Sequence, residues 1–284
     1  MMVIKPSSKI TYTIKGVLFI IQFKAPQTLN SMSGDDYLYL SHLLQISDSN
    51  PHTKFTVLQS SGRFFSSGAD VSGIAELHKS SKKGSKTEQV AESNGELPKW
   101  LSLFVSRNLF VTHVFATHKK ILVCCLNGPA VGLSAAIVML CDLVYSMHDK
   151  VYLLFPFANL GLVTEGGLSV TLPMKLGFNV ANEILMFSKP ATFDQLKDKV
   201  ITRNYAMRDV DEFNNKVVQD LTEMTTHLHK ESITGMKKLL KATMINELKR
   251  ANDDEVIDAL DYWVQGIPQG KFEEIGAKKR KHKL

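Results

Sequence analysis

Four short segments carry residue types whose spacing permits chemistry. In Ser66-Ser67-Gly68-Ala69-Asp70, small side chains let a ligand approach the main chain and leave amide hydrogens free to donate. The same run also reads as a plain polar turn. Asn127-Gly128-Pro129-Ala130-Val131-Gly132-Leu133-Ser134 leads from an apolar strand into an apolar helix. Its amides point outward at a helix N-terminus, where backbone donors lack internal partners and the dipole favours negative charge. No Lys follows these glycines, so the phosphate-binding G-x-x-x-x-G-K-[ST] pattern is excluded; Ala136 stands where G-x-S-x-G needs its last glycine, which argues against Ser134 as a nucleophile. Leu160-Gly161-Leu162-Val163-Thr164-Glu165-Gly166-Gly167 sets one carboxylate between apolar residues and two glycines, just before an apolar helix. Glu165 there is either a base in an apolar setting or a first-turn acid behind an N-cap Thr164. The chain ends His282-Lys283-Leu284, similar to the peroxisomal S-K-L address with His for Ser, or simply a solvated basic tail.

Other chemistries find no support. His227 and His229 lie two apart, which a helix points in different directions, and no other histidine has ligand spacing, so no metal is expected. Cys124, Cys125 and Cys141 sit in apolar runs with neither disulfide nor zinc spacing and read as reduced, buried thiols of an intracellular protein. The net charge of +6 belongs mostly to the tail: Lys278, Lys279, Arg280, Lys281 and Lys283 fall within 277–284, which holds no acid. The rest of the chain is nearly balanced, so no nucleic-acid partner is expected from net charge. No apolar run approaches the ~18 residues of a membrane span.

The elements that must position these segments read as α/β. Ile10, Tyr12 and Ile14 alternate with polar residues up to Lys15-Gly16, and Phe19, Ile21 and Phe23 continue the period of two, predicting a hairpin. A helix over 35–46 and a strand at Phe55-Thr56-Val57-Leu58-Gln59 complete a βαβ unit. A polar loop over 76–98 precedes an amphipathic helix over 100–116. Ile121-Leu122-Val123-Cys124-Cys125-Leu126 is a strand buried on both faces. The pattern then predicts a helix over 133–145, a strand over 151–156, and an almost entirely helical chain from 164 to 264. This divides the chain into an α/β core over 1–205, a helical region over 206–276 and the tail over 277–284.

Taken in order, the Gly68-Ala69-Asp70 loop and the Asn127-to-Ser134 segment resemble the crotonase, or enoyl-CoA hydratase/isomerase, superfamily. Ala25-Pro26-Gln27-Thr28-Leu29-Asn30-Ser31 and Cys141-Asp142-Leu143-Val144-Tyr145 extend the resemblance. It implies a crotonase-like spiral of ββα turns with a helical C-terminal trimerisation region, assembled as trimers or dimers of trimers. It implies an acyl-CoA substrate bound along Ser67, Gly68, Ala69, Asp70, Val71 and Leu133. The amides of Ala69 and Leu133 would hold the thioester oxygen as it becomes an enolate; Leu133 departs from the glycine usual in the family. The two glutamates of the family's hydratases correspond to Ala136 and Phe157, which disfavours hydration. Glu165 matches the base of the fungal isomerases, so the implied reaction is 3-enoyl-CoA to trans-2-enoyl-CoA, with Asn108 a possible orienting partner. No metal, flavin or nicotinamide cofactor is implied, since coenzyme A arrives on the substrate, and Lys271 and Phe272 stand as possible supports beside it. The terminus implies a peroxisomal import receptor as partner and the peroxisomal matrix as location. Alternatives are a dienoyl-CoA isomerase, which needs a second carboxylate (Asp149 is the residue considered), and a non-catalytic acyl-CoA- or RNA-binding member.

Overall fold

A computed structural model of the chain describes residues 4–70 and 96–277. Strands β1 (Ile10–Lys15) and β2 (Leu18–Phe23) form the expected hairpin, turning at Gly16 with φ of 55°. Helix α1 (Gly34–Ser49) starts at a capping box in which Ser33 and Asp36 satisfy each other's backbone N–H. It crosses over to β3 (Phe55–Ser60), which lies parallel to β2. Residues 96–100 are helical and lead into a π-helical stretch, Leu101–Ser106, that continues as α2 (Arg107–Thr117). Strand β4 (Ile121–Leu126), short strand β5 (Ala130–Val131) and α3 (Leu133–Leu140) follow, then β6 (Leu143–Ser146) and β7 (Tyr152–Leu154).

Helices α4 (Leu168–Leu176) and α5 (Phe178–Met186), β8 (Pro190–Thr192), the single turn α6 (Phe193–Leu196) and β9 (Arg203–Asn204) come next. The chain closes with α7 (Val210–Thr225), α8 (Lys230–Ala242), α9 (Ile245–Val264) and α10 (Ile267–Gly276). Among the described residues, one sheet runs β1-β2-β3-β4-β6-β9, parallel except for the hairpin, and a smaller one runs β5-β7-β8.

The unbroken apolar run of β4 has a simple cause. Leu122, Cys124 and Leu126 enter one core with Leu40, Leu43 and Leu44 of α1 and Val111 and Phe115 of α2. Ile121, Val123 and Cys125 enter a second core with Phe213, Val217 and Leu221 of α7. Helices therefore cover both faces of the sheet, and every β4 side chain is buried. All three cysteines are free and buried, as the sequence predicts.

Two sequence-based expectations need correction. The predicted helix over 133–145 ends at Leu140; Cys141 turns to φ −68°, ψ 146°, and Leu143–Ser146 pairs parallel with β4. The switch is fixed by Asp142, whose carboxylate accepts the Leu122 N–H at 2.7 Å and pairs with Lys237 at 2.6 Å and Lys241 at 3.3 Å. A continuous apolar run holds no period that would reveal this break. The C-terminal third is also interrupted, by β8 and β9. The polar loop falls largely in 71–95, and Val71 with it, outside the described residues; so does the terminus from 278 onward.

Candidate active site

Both glycine-bearing loops are locked together from below. Asn30 donates to the carbonyls of Ser61 at 2.8 Å and Phe64 at 3.0 Å, and its Oδ1 accepts the Ala25 N–H at 2.9 Å. Ser66 Oγ donates to the Asn30 carbonyl at 2.8 Å and accepts the Gly68 N–H at 3.1 Å. It also lies 2.8 Å from Ser134 Oγ, which Tyr37 OH reaches at 2.9 Å. Ser134 is thus buried in a structural network, in keeping with its poor match to a nucleophile motif. The Val131 N–H donates to the Ser66 carbonyl at 3.0 Å, drawing the second loop alongside the first. Gly68 sits where they touch: its φ is +86°, and a Cβ there would lie 2.6 Å from the Val131 carbonyl oxygen. Only glycine permits this approach without strain.

The consequence is a pair of free donors. Among the described residues, the N–H groups of Ala69 and Leu133 have no hydrogen-bond acceptor, although Met32 and Asp70 beside the first loop are paired through their amides. Leu133 is the first residue of α3, after Gly132. Ala69 and Leu133 both line a cavity of about 700 Å³, as do Ser67, Gly68 and Asp70. The Leu133 side chain leans towards Gly166, where an added Cβ would be 3.4 Å from its Cδ1.

Glu165 stands in the wall of the same cavity. Asn108, at the start of α2 and buried, donates Nδ2–H to Glu165 Oε2. Asn108 Oδ1 in turn accepts the Arg107 Nε–H at 3.2 Å, which settles which way the amide faces. Burial pushes the Glu165 carboxyl up to about 7; the Arg107 charge opposes this, the neighbouring Glu255 carboxylate adds to it, and the Asn108 hydrogen bond opposes it. A carboxyl held near neutrality is poised to take and return a proton. Gly166, at φ +77°, leaves its open side against Ala136, whose Cβ would lie 2.5 Å from a Cβ there. A glutamate at 136 would thus meet the 164–167 segment, and Phe157 lines the cavity as an apolar wall.

The remaining sequence-predicted residues divide. Phe272 is buried and lines the cavity, whereas Lys271 is not among the lining residues and lies 3.4 Å from Glu274. Asp149 is exposed in the turn between β6 and β7, away from the cavity wall. Sequence reasoning missed Arg107, Tyr37, Asp35 and the aromatic group of Trp100, Phe104 and Trp263, all in the wall. Trp263 from α9 packs 4.6 Å from Trp100 and 5.2 Å from Phe104 between ring centroids, so the C-terminal helices close the apolar end. Trp100 and Phe104 at helical spacing were a usable signal; nothing local marked the others.

Two unpaired main-chain donors and one basic carboxylate around an apolar cavity make a site suited to an anion formed next to a carbonyl. The chain belongs to the enoyl-CoA hydratase/isomerase family, whose pattern matches residues 13–259. It is 49% identical over 284 residues to the 3,2-trans-enoyl-CoA isomerase of Saccharomyces cerevisiae, covering 99% of each chain. It is 44% identical over 278 residues to the Delta(3,5)-Delta(2,4)-dienoyl-CoA isomerase of the same yeast, covering 98% of this chain and 100% of that one. Among solved structures, Pseudomonas aeruginosa OdaA superposes with a TM-score of 0.77 at 21% identity, over 95% of this chain and 99% of that one, a likeness of fold. The α/β crotonase architecture expected from the sequence is the one the chain adopts.

Proposed function

We propose that the protein is a 3,2-enoyl-CoA isomerase that converts 3-enoyl-CoA to trans-2-enoyl-CoA in the oxidation of unsaturated fatty acids. One observation carries the reading: Glu165, with its carboxyl held near neutrality, shares a cavity with the unpaired amides of Ala69 and Leu133. The thioester carbonyl oxygen accepts both N–H groups. Glu165 removes a proton from C2, and the released electron pair forms the dienolate, its negative charge on the oxygen the two amides hold. The protonated Glu165 then delivers the same proton to C4, leaving the double bond between C2 and C3. Atoms balance within the substrate, and the reaction requires no cofactor. Hydration would need groups to activate water where Ala136 and Phe157 stand.

The test is ultraviolet absorbance of the conjugated thioester formed from trans-3-hexenoyl-CoA. Turnover supports the reading. An inactive protein that turns over a 3,5-dienoyl-CoA would replace it with dienoyl isomerisation, which the similarity to the yeast dienoyl isomerase keeps in view. Failure on both would favour the non-catalytic alternative.

The same reading includes assembly and address. Phe178 (73% exposed), Leu239 (73%) and Leu240 (76%) are large apolar side chains facing out from α5 and α8, consistent with a homotrimer or hexamer. Light scattering should return three or six times 31.7 kDa; a monomer would remove this part. The His282-Lys283-Leu284 terminus supports peroxisomal import, and a tag fused beyond Leu284 should leave the protein in the cytosol.

A further inference from the structure

The segment that carries Glu165 is held by a carboxylate far away in the chain. Helix α4 is preceded by Gly167 at its N-cap, in a left-handed conformation and with no side chain to cap the helix. Its free donors are taken by Glu255 of α9, which is only 5% exposed. Glu255 accepts the Gly167 N–H at 2.7 Å, the Ser169 N–H at 2.8 Å and the Ser169 hydroxyl at 2.7 Å. It also accepts the Thr164 hydroxyl at 3.2 Å. The carboxylate therefore grips the chain on both sides of Glu165, at a helix N-terminus whose dipole favours a negative charge. Three residues earlier on α9, and so on the same face, Asn252 donates Nδ2–H to the carbonyl of Leu109 at 3.0 Å. Leu109 directly follows Asn108, the partner of Glu165. One face of α9 thus holds both halves of the acid–amide pair, which lie on separate elements.

Resting on the isomerase reading, we propose that Glu255 is a positioning residue: with Asn252 it makes α9 a clamp that fixes where Glu165 stands relative to Asn108 and the two amides. Thr164 and Ser169 contribute neutral donors to this clamp, and the charged or titratable groups acting on Glu165 are Arg107 of α2, Tyr37 of α1 and Glu255 itself. Glu255 only accepts hydrogen bonds in this clamp, the pattern of a carboxylate, and it raises the Glu165 carboxyl whereas Arg107 lowers it. Burial raises the carboxyl of Glu255 too, with its four donors acting against that.

Two variants separate positioning from a merely structural role. Glu255→Gln keeps the shape and one acceptor oxygen but removes the charge. The acidic limb of its kcat/KM profile should move below the parent's, and the Glu165 midpoint followed by 13C NMR of labelled carboxyls should move down with it. Glu255→Ala removes the clamp, and kcat should fall by about 10- to 100-fold while KM stays within about twofold, the signature of a misplaced base. Unchanged limb, midpoint and kcat would overturn the proposal and leave Glu255 as a helix cap. The NMR arm needs no substrate: a shifted midpoint in a protein inactive on 3-hexenoyl-CoA would sink the isomerase reading and not the clamp. Should Glu255→Ala fail to fold, kcat of Glu255→Gln decides in its place: an unchanged kcat would overturn the clamp whatever the midpoint does.

Discussion

Glu165→Ala should lower turnover of 3-hexenoyl-CoA by about 1,000- to 10,000-fold, the upper part of what a positioned general base contributes. The upper part is expected because the same carboxyl acts twice, taking the proton from C2 and returning it at C4. Glu165→Gln keeps the volume and a partner for Asn108, and should lose as much. In the parent, only the ionised form takes the proton, so kcat/KM should fall about tenfold per pH unit below about 7 and level off above it. Stability should run the other way. A carboxyl raised from 4.5 to about 7 favours the fold below its unfolded value, and that advantage is lost as pH rises through about 7. Glu165→Gln should therefore melt at or above the parent's temperature at pH 8. Activity within tenfold of the parent in a folded Glu165→Ala would send the role elsewhere, first to Asp35 and Asp70 in the cavity wall.

What sequence made readable in this site follows from where the signals are local. Gly68, the Asn127-Gly128-Pro129 turn and the Gly166-Gly167 pair mark backbone conformations that other residues resist, so the loops that bring Ala69, Leu133 and Glu165 to one cavity announce themselves. Asn108 is a polar residue in an apolar helix, and its bond to Glu165 is the kind of partner such a position needs. Glu255 and Asn252 gave no such sign. Both look like ordinary polar positions of α9, and their meaning comes from contacts made 86 to 143 residues away. The aromatic end of the cavity is similar, since Trp263 reaches Trp100 only once the C-terminal helices fold back. Strand β6 was lost for another reason: helix and strand are equally apolar where both are buried, and the break at Asp142 is made by lysines from α8.

Replacing the amide of Leu133 should be nearly as damaging as replacing the base. Proline removes the N–H, and the first position of a helix is where it does so with least disturbance, because that N–H has no partner within the helix. Gly132 before it has φ 59° and ψ −133°, well away from the right-handed helical region that a following proline disfavours. Leu133→Pro should therefore fold, at a cost from the lost side chain, which is 5% exposed and packs towards Gly166. Leu133→Ala suffers the same packing loss, about 2–5 kcal/mol for a buried leucine, yet keeps the amide. The comparison isolates the donor. Leu133→Ala should stay within about tenfold of the parent in kcat, while Leu133→Pro should drop a further 100- to 1,000-fold, about 2.7–4 kcal/mol of enolate stabilisation. Equal losses in the two variants, with melting temperatures that match, would mean that the side chain mattered and the amide did not. The thioester oxygen would then have to be held by Ala69 and some group other than the helix N-terminus.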